Sequence, residues 1–154
     1  MASMNKAFVR EPEDTGQRHC PRCGSLGAPA TADAVREHLE PTALANLSET
    51  AWFCPFARCE VAYFDTFERV TTVEQLRYPV WPKDADAPLC SCFGLTRDDV
   101  EQDIRDGGVV RTRATIDKAK TAEARCHRLS PDGHSCVAEV QRYYMKCRQA
   151  GGKA

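Results

Sequence analysis

The residues of this 154-residue sequence with chemistry to offer are its nine cysteines: Cys20, Cys23, Cys54, Cys59, Cys90, Cys92, Cys126, Cys136 and Cys147. Eight fall into four close pairs, and Cys147 stands alone in a helix-like stretch. Thiolates at such spacings ligate metal ions, and in a reducing compartment metal rather than disulfide is the expected use. Two four-thiolate sites would consume the eight paired residues.

The first pair, His19-Cys20-Pro21-Arg22-Cys23-Gly24, is a C-x2-C knuckle in which two thiolates reach one ion while the glycine permits a left-handed turn. Cys54-Pro55-Phe56-Ala57-Arg58-Cys59 supplies a second pair with four intervening residues, compatible with a tetrahedral cage. Zn²⁺ is the expected ion. It accepts a four-thiolate cage and contributes folding energy where the surrounding core, here read as Trp52, Phe53, Phe56, Tyr63 and Phe64, is small. A closed cage leaves no position for water, so this zinc would be structural. Three alternatives stand beside this reading: His19 replacing a cysteine, Glu60 substituting for one, or Cys54 and Cys59 being ordinary buried thiols.

The second set is spaced differently. Cys90-Ser91-Cys92 is a C-x-C pair, followed after 33 intervening residues by Cys126 and after nine more by Cys136. Such spacings are unusual for zinc. A C-x-C pair in an extended turn can present two thiolates to one iron of a [2Fe-2S] cluster, with Cys126 and Cys136 holding the other. Cys92 precedes an expected helix and Cys136 starts another, so helix N-termini would face an anionic cluster. His127 and His134 flank these cysteines and are candidates for tuning the potential, against the plainer reading of exposed loop histidines. Residues 111–128 carry six cations against two acids, an excess of +4 suited to favouring a reduced cluster or a docking partner, against the plainer reading of a solvated helix face. Cys147, 11 residues past Cys136, lies roughly 16 Å farther along the same helical face and cannot join that site.

The segment from Cys90 to Tyr144 resembles the bacterioferritin-associated-ferredoxin-like [2Fe-2S] fold, in which a C-x-C pair is followed after a similar gap by C-x2-C. The C-x9-C spacing between Cys126 and Cys136 departs from that pattern and looks like the variant in the N-terminal domain of CopZ-type copper chaperones, which also carries zinc upstream. That resemblance spans roughly Cys20 to Tyr144, including the C-x2-C-Gly start, the Phe53-Cys54 to Phe64 segment and Cys-Ser-Cys-Phe-Gly. It implies a module with one zinc and one [2Fe-2S] cluster that supplies electrons during copper or other metal handling, with a redox partner or copper-handling protein. No Met-x-Cys-x-x-Cys loop occurs in the sequence, so copper carriage by such a loop is not expected.

The elements that must position these thiols follow from local pattern. The fold class expected is α+β: a small zinc-binding subdomain with short strands, then a three-helix [2Fe-2S] domain. Glu60–Phe67 reads as a strand leaving a metal loop, Arg77–Trp81 as a weaker strand, and Pro41–Leu47 as a short helix with proline in its first turn. Thr96 and Asp99 form a capping box for a helix stopped by Gly107-Gly108. Thr115 and Ser135 are read as caps of two further helices. The Pro- and Asp-rich stretch 82–88 separates the halves. The organisation expected is a tail over 1–18, a zinc-binding domain over 19–82, a [2Fe-2S]-binding helical domain over 83–147 and a tail over 148–154. A three-helix unit of roughly 60 residues is marginal by burial alone, so a bound metal centre would help stabilise it.

The net charge of -1 and pI near 6.4 give no reason to expect nucleic-acid binding. No apolar run approaches the roughly 18 residues of a membrane helix, and the start lacks an apolar signal core, so a cytoplasmic protein without membrane insertion is expected. With no dinucleotide fingerprint, phosphate loop or nucleophile–base pair, enzyme catalysis beyond redox chemistry at the cluster, possible metal-ion reduction included, has no support. The leading function is an electron carrier or reductant in copper or metal homeostasis. The alternatives are a zinc-only adaptor, or a sensor or metallochaperone exchanging metal through its cysteines.

Overall fold

The computed structural model describes residues 17–152, with side chains to residue 150. The tail expected over 1–18 therefore lies outside the described residues except at Gln17 and Arg18, as do Lys153 and Ala154 of the other tail.

Strands β1 (Ala28–Ala30), β2 (Ala51–Phe53), β3 (Val61–Asp65) and β4 (Val70–Thr72) form one antiparallel sheet in sequence order. Helices α1 (Ala32–His38) and α2 (Pro41–Leu44) lie between β1 and β2. Helices α3 (Arg97–Arg105), α4 (Val110–Ala119), α5 (Cys126–Leu129) and α6 (Val137–Gly152) make up the second half. The chain is thus a mixed helix and strand protein.

Side-chain alternation divides the sheet into two working faces. Ala51, Phe53 and Tyr63 pack with Val35 of α1 and Leu39 just past its end, whereas Trp52, Cys54 and Phe64 pack with Cys20 on the opposite face. Register sets Trp52 beside Phe64, with rings stacked 6.2 Å apart, and Phe53 beside Tyr63. Both faces of β2 and β3 are covered, so every residue in these two strands is buried. A second core in the helical half gathers Leu89, Leu95, Val100, Ala119 and Val140 around Cys90, Cys126 and Cys136.

Asp65 closes the β3–β4 turn with a fully buried carboxylate that accepts from the amides of Ser48, Phe67 and Arg69 and from Arg69 Nε. Asp103 does the equivalent work in the helical half. Its carboxylate accepts from Thr112 N at 2.7 Å, Thr112 Oγ1 at 2.8 Å, Arg111 N at 3.2 Å and the Arg111 guanidinium at 2.9 Å. These are the orphan amides of the first turn of α4, so a side chain from α3 caps the next helix.

That cap explains one departure from the sequence reading. The second long helix begins at Val110, and Thr115 is buried inside it rather than capping it. Thr96 does cap α3, with the reciprocal bond from Asp99. Ser135 sits one residue farther out than expected: Cys136 immediately precedes α6, and the Ser135 hydroxyl accepts from Val137 N. Arg77–Trp81 forms no strand, since Pro79 offers no ladder amide and the segment turns away after bonding Arg77 N to His38 O. Helix α6 continues to Gly152, past the position 148 at which the sequence suggested a tail.

Burial alone would raise the Asp103 carboxyl, but the bonds from Thr112 and Arg111 outweigh it and hold the group below its ordinary range. A depressed folded value means that Asp103 stabilises fully above the unfolded value, about 4, and that this stability is lost as pH falls through the folded value. Asp103→Asn should cost about 2 kcal/mol at pH 7. The gap between wild-type and variant urea midpoints should narrow below about pH 4; a gap independent of pH would show that the carboxylate charge is not what caps α4.

Candidate metal centres

The Cys20–Gly24 turn is built by Cys20 N donating to Ser25 O at 2.8 Å and Gly24 N to Cys20 O at 2.9 Å, with Gly24 at φ 78°. Cys54 leaves β2, held by a 2.9 Å bond from its amide to Ala62 O, and the loop returns through Cys59 N to Phe56 O. The Sγ atoms of Cys20, Cys23, Cys54 and Cys59 all lie within 4.8 Å of one another. Cys20 and Cys59 are 3.9 Å apart, and Cys23 and Cys54 are 3.6 Å apart. Four sulfurs on a tetrahedron around zinc, each about 2.3 Å from the ion, would be about 3.8 Å apart, so the donor set fits that ion.

The surroundings match the chemistry of a thiolate cage. Arg22 N donates to Cys20 Sγ and Val61 N to Cys59 Sγ, each at 3.4 Å and each from the residue two positions on. Burial works against a Cys23 thiolate, but hydrogen bonds with Ser25 prevail and lower its pKa to about 6. Burial pushes Cys54 up to about 12. With Cys23 readily ionised and Cys54 and Cys59 resisting ionisation, a bound cation would draw off the remaining protons of those two.

Neither His19 nor Glu60 joins this group. His19 bridges Leu26 across the knuckle, and Glu60 pairs with Arg22 at 3.0 Å on the surface. Phe56, read from the sequence as core around the zinc, is instead 45% exposed, and it is its backbone carbonyl that the structure uses. That carbonyl, with the one of Cys59, accepts from Lys83 Nζ at 2.7 and 2.9 Å. Lys83 lies in the stretch read as an inter-domain spacer, where a lone cation among prolines and aspartates was the only available signal.

The second set uses the same turn. Cys90 N donates to Leu95 O at 3.2 Å and Gly94 N to Cys90 O at 2.8 Å, with Gly94 at φ 76°. The second thiol, however, stands two places after the first rather than three. Cys126 opens α5 and Cys136 immediately precedes α6. Cys92 Sγ is 3.3 Å from Cys126 Sγ, and Arg125 N donates to Cys92 Sγ at 3.3 Å. Electrostatic influence also couples Cys90 to Cys136 and Cys92, and Cys136 to Cys126, completing a ring of neighbours. Contact with Cys136 lowers Cys90 to about 6 and drives Cys136 up, while burial raises Cys92 to about 12. No three of these four sulfurs are mutually as close as those of the first set. The ring is therefore more open than a single-ion cage, a donor set suited to a larger anionic group.

His127 and His134 do not reach these sulfurs through any bond to the ring. His134 Nε2 lies 2.8 Å from Pro29 O, and the backbone carbonyl of His127 accepts from Thr31 Oγ1. Of the basic residues near the set, Arg111 is tied to Asp103 and Asp106, Lys118 lies over Phe93, and Arg128 pairs with Glu37. Cys147 lies on α6 beside Tyr143, apart from both groups.

Residues 17–77 match a family of CopZ-type domains described as "Zinc binding domain". The chain is similar in structure to the N-terminal domain of CopZ from Archaeoglobus fulgidus, known from an X-ray structure, with a TM-score of 0.68. The identity is 21%, over 81% of this chain and 96% of that one, so the likeness is one of fold. No curated protein matches.

Lys83→Gln should loosen the Cys54–Cys59 loop without removing a thiol. The loss of two bonds from a partly solvated ammonium should cost about 1 kcal/mol, read as a lower melting temperature. An unchanged melting temperature would mean that the loop holds its shape without the clamp.

Proposed function

We propose that this chain is a two-centre metal protein: Cys20, Cys23, Cys54 and Cys59 hold a structural Zn²⁺, and Cys90, Cys92, Cys126 and Cys136 hold a [2Fe-2S] cluster. Its role is that of a one-electron carrier or reductant in copper or metal homeostasis, working with a redox partner or copper-handling protein in the cytoplasm. The observation that carries this reading is the contrast between two four-thiol groups in one chain, one compact enough for a single ion and the other an open ring. The CopZ-type match over 17–77 and the shared fold support it.

A bound [2Fe-2S] cluster supplies a one-electron couple without protein-centred acid–base chemistry. The residues of the chain then set access and charge. Arg125 N donates to Cys92 Sγ, and hydrogen bonds to ligand sulfur raise a cluster's potential. Cys92 is only half-buried, whereas Cys90, Cys126 and Cys136 are buried, so an electron would leave by way of Cys92. The proposed division of the chain follows the two groups, a zinc-binding half to residue 82 and a cluster-binding half beyond it. None of the helices in the described residues is long and apolar enough to cross a membrane.

Anaerobically purified protein should contain zinc, iron and acid-labile sulfide, with visible absorbance that bleaches on dithionite. Cys92→Ser should abolish that absorbance and spare zinc, and Cys54→Ser should abolish zinc binding. Colourless protein holding zinc at both sites, and unable to take up iron on reconstitution, would leave the zinc adaptor in its place.

A further inference from the structure

The nine residues between Cys126 and Cys136 are fastened to the zinc-bearing half by a row of backbone bonds. Thr31 Oγ1 donates to His127 O at 3.1 Å, and Thr31 N donates to Asp132 O at 3.1 Å. His38 Nε2 lies 3.1 Å from Leu129 O, and Tyr63 OH donates to Pro131 O. His134 Nε2 reaches back to Pro29 O. Tyr63 and His38 are both essentially inaccessible to solvent, at 0% and 1% exposure, so neither side chain has water as an alternative partner. Inside the loop, the Ser130 hydroxyl lies 2.9 Å from Cys126 O and 2.8 Å from His134 O, bracing its two ends together. Gly133 lies flat against Thr31, where a Cβ would stand 2.1 Å from Thr31 Oγ1.

The route back to the zinc cage is short. Cys54 N donates to Ala62 O, and Ala62 precedes Tyr63 in β3. Tyr63 then holds Pro131, midway between the two cysteines.

We infer that Tyr63 and Thr31 are positioning residues for Cys126 and Cys136: the zinc-bearing half is the template on which the second cysteine pair of the open thiol ring is held. This rests on the [2Fe-2S] reading of that ring. A nine-residue spacer free in solution would leave two of four ligands to find each other at an entropic cost, and docking removes that cost before the cluster binds. Because the coupling is an equilibrium one, it acts in both directions: emptying the zinc cage should weaken the cluster, and emptying the ring should loosen zinc.

The test follows cluster lifetime under an iron chelator, read as visible absorbance in the full chain, with zinc content and circular dichroism measured alongside. Tyr63→Phe should shorten the lifetime by a factor of about five, the worth of one buried hydrogen bond, while retaining zinc. Thr31→Val should shorten it as well, with Thr31→Ser restoring it. Gly133→Ala should shorten it further. Gly107→Ala serves as the control, since Gly107 shares a positive φ of 78° but has nothing within 4 Å of an added Cβ. In the cluster that survives in Tyr63→Phe, the electron paramagnetic resonance signal after one-electron reduction by dithionite should shift, reporting altered ligand geometry. Wild-type lifetimes in Tyr63→Phe and Gly133→Ala, or an equal loss in Gly107→Ala at the same melting temperature, would overturn the positioning role and leave the cluster reading standing. Wild-type protein that assembles no cluster would overturn both.

Discussion

Four sulfur atoms from loops 31 to 39 residues apart must meet within 4.8 Å, and the first half of the chain is arranged around that requirement. The strands of the sheet are three to five residues long, too short to form a stable sheet by pairing alone. Their register carries Cys54 off the end of β2 to face the Cys20 turn, with Trp52 and Phe64 filling the space beneath. A misregister of one residue would send Cys54 to the α1 face and Phe53 to the cage. Sheet register and ligand convergence are thus one condition, met together or not at all.

The same economy governs both halves, where polar side chains do work usually left to local sequence. Asp103 caps a helix that has no cap of its own, and Asp65 closes a turn through three amides. Each carboxylate is buried, and each is tolerable there because every lone pair has a donor. These groups join elements that a small apolar core would hold only weakly.

The pattern of what could be read from the sequence follows from this. Thr96 and Asp99 announced α3 because their interaction spans three residues and obeys a local rule. The start of α4 did not show, because its cap comes from the preceding helix. Helix α5 is a single turn with no apolar periodicity, and β1 and β2 are too short for alternation to register. Among the cysteines, spacing pointed to Cys20, Cys23, Cys54 and Cys59, whose sulfurs the structure gathers within 4.8 Å, and to the turn glycine. The Lys83 clamp, the surface position of Phe56 and the bonds from Thr31, His38 and Tyr63 to the 127–132 backbone are long-range, and backbone carbonyls as acceptors leave no trace in residue identity.

The turns at Cys20 and Cys90 share one more property. At Gly24 and Gly94 the space where a Cβ would sit is empty, so nothing in the neighbourhood objects to a side chain on grounds of room. The objection comes from the handedness of the amino acids themselves: the positive φ is the mirror image of what an L-residue prefers and suits a D-residue. A D-residue would adopt this φ without backbone strain and an L-residue would not. Both cysteine turns therefore depend on an achiral residue, and on stereochemistry alone, one place after Cys23 and two places after Cys92.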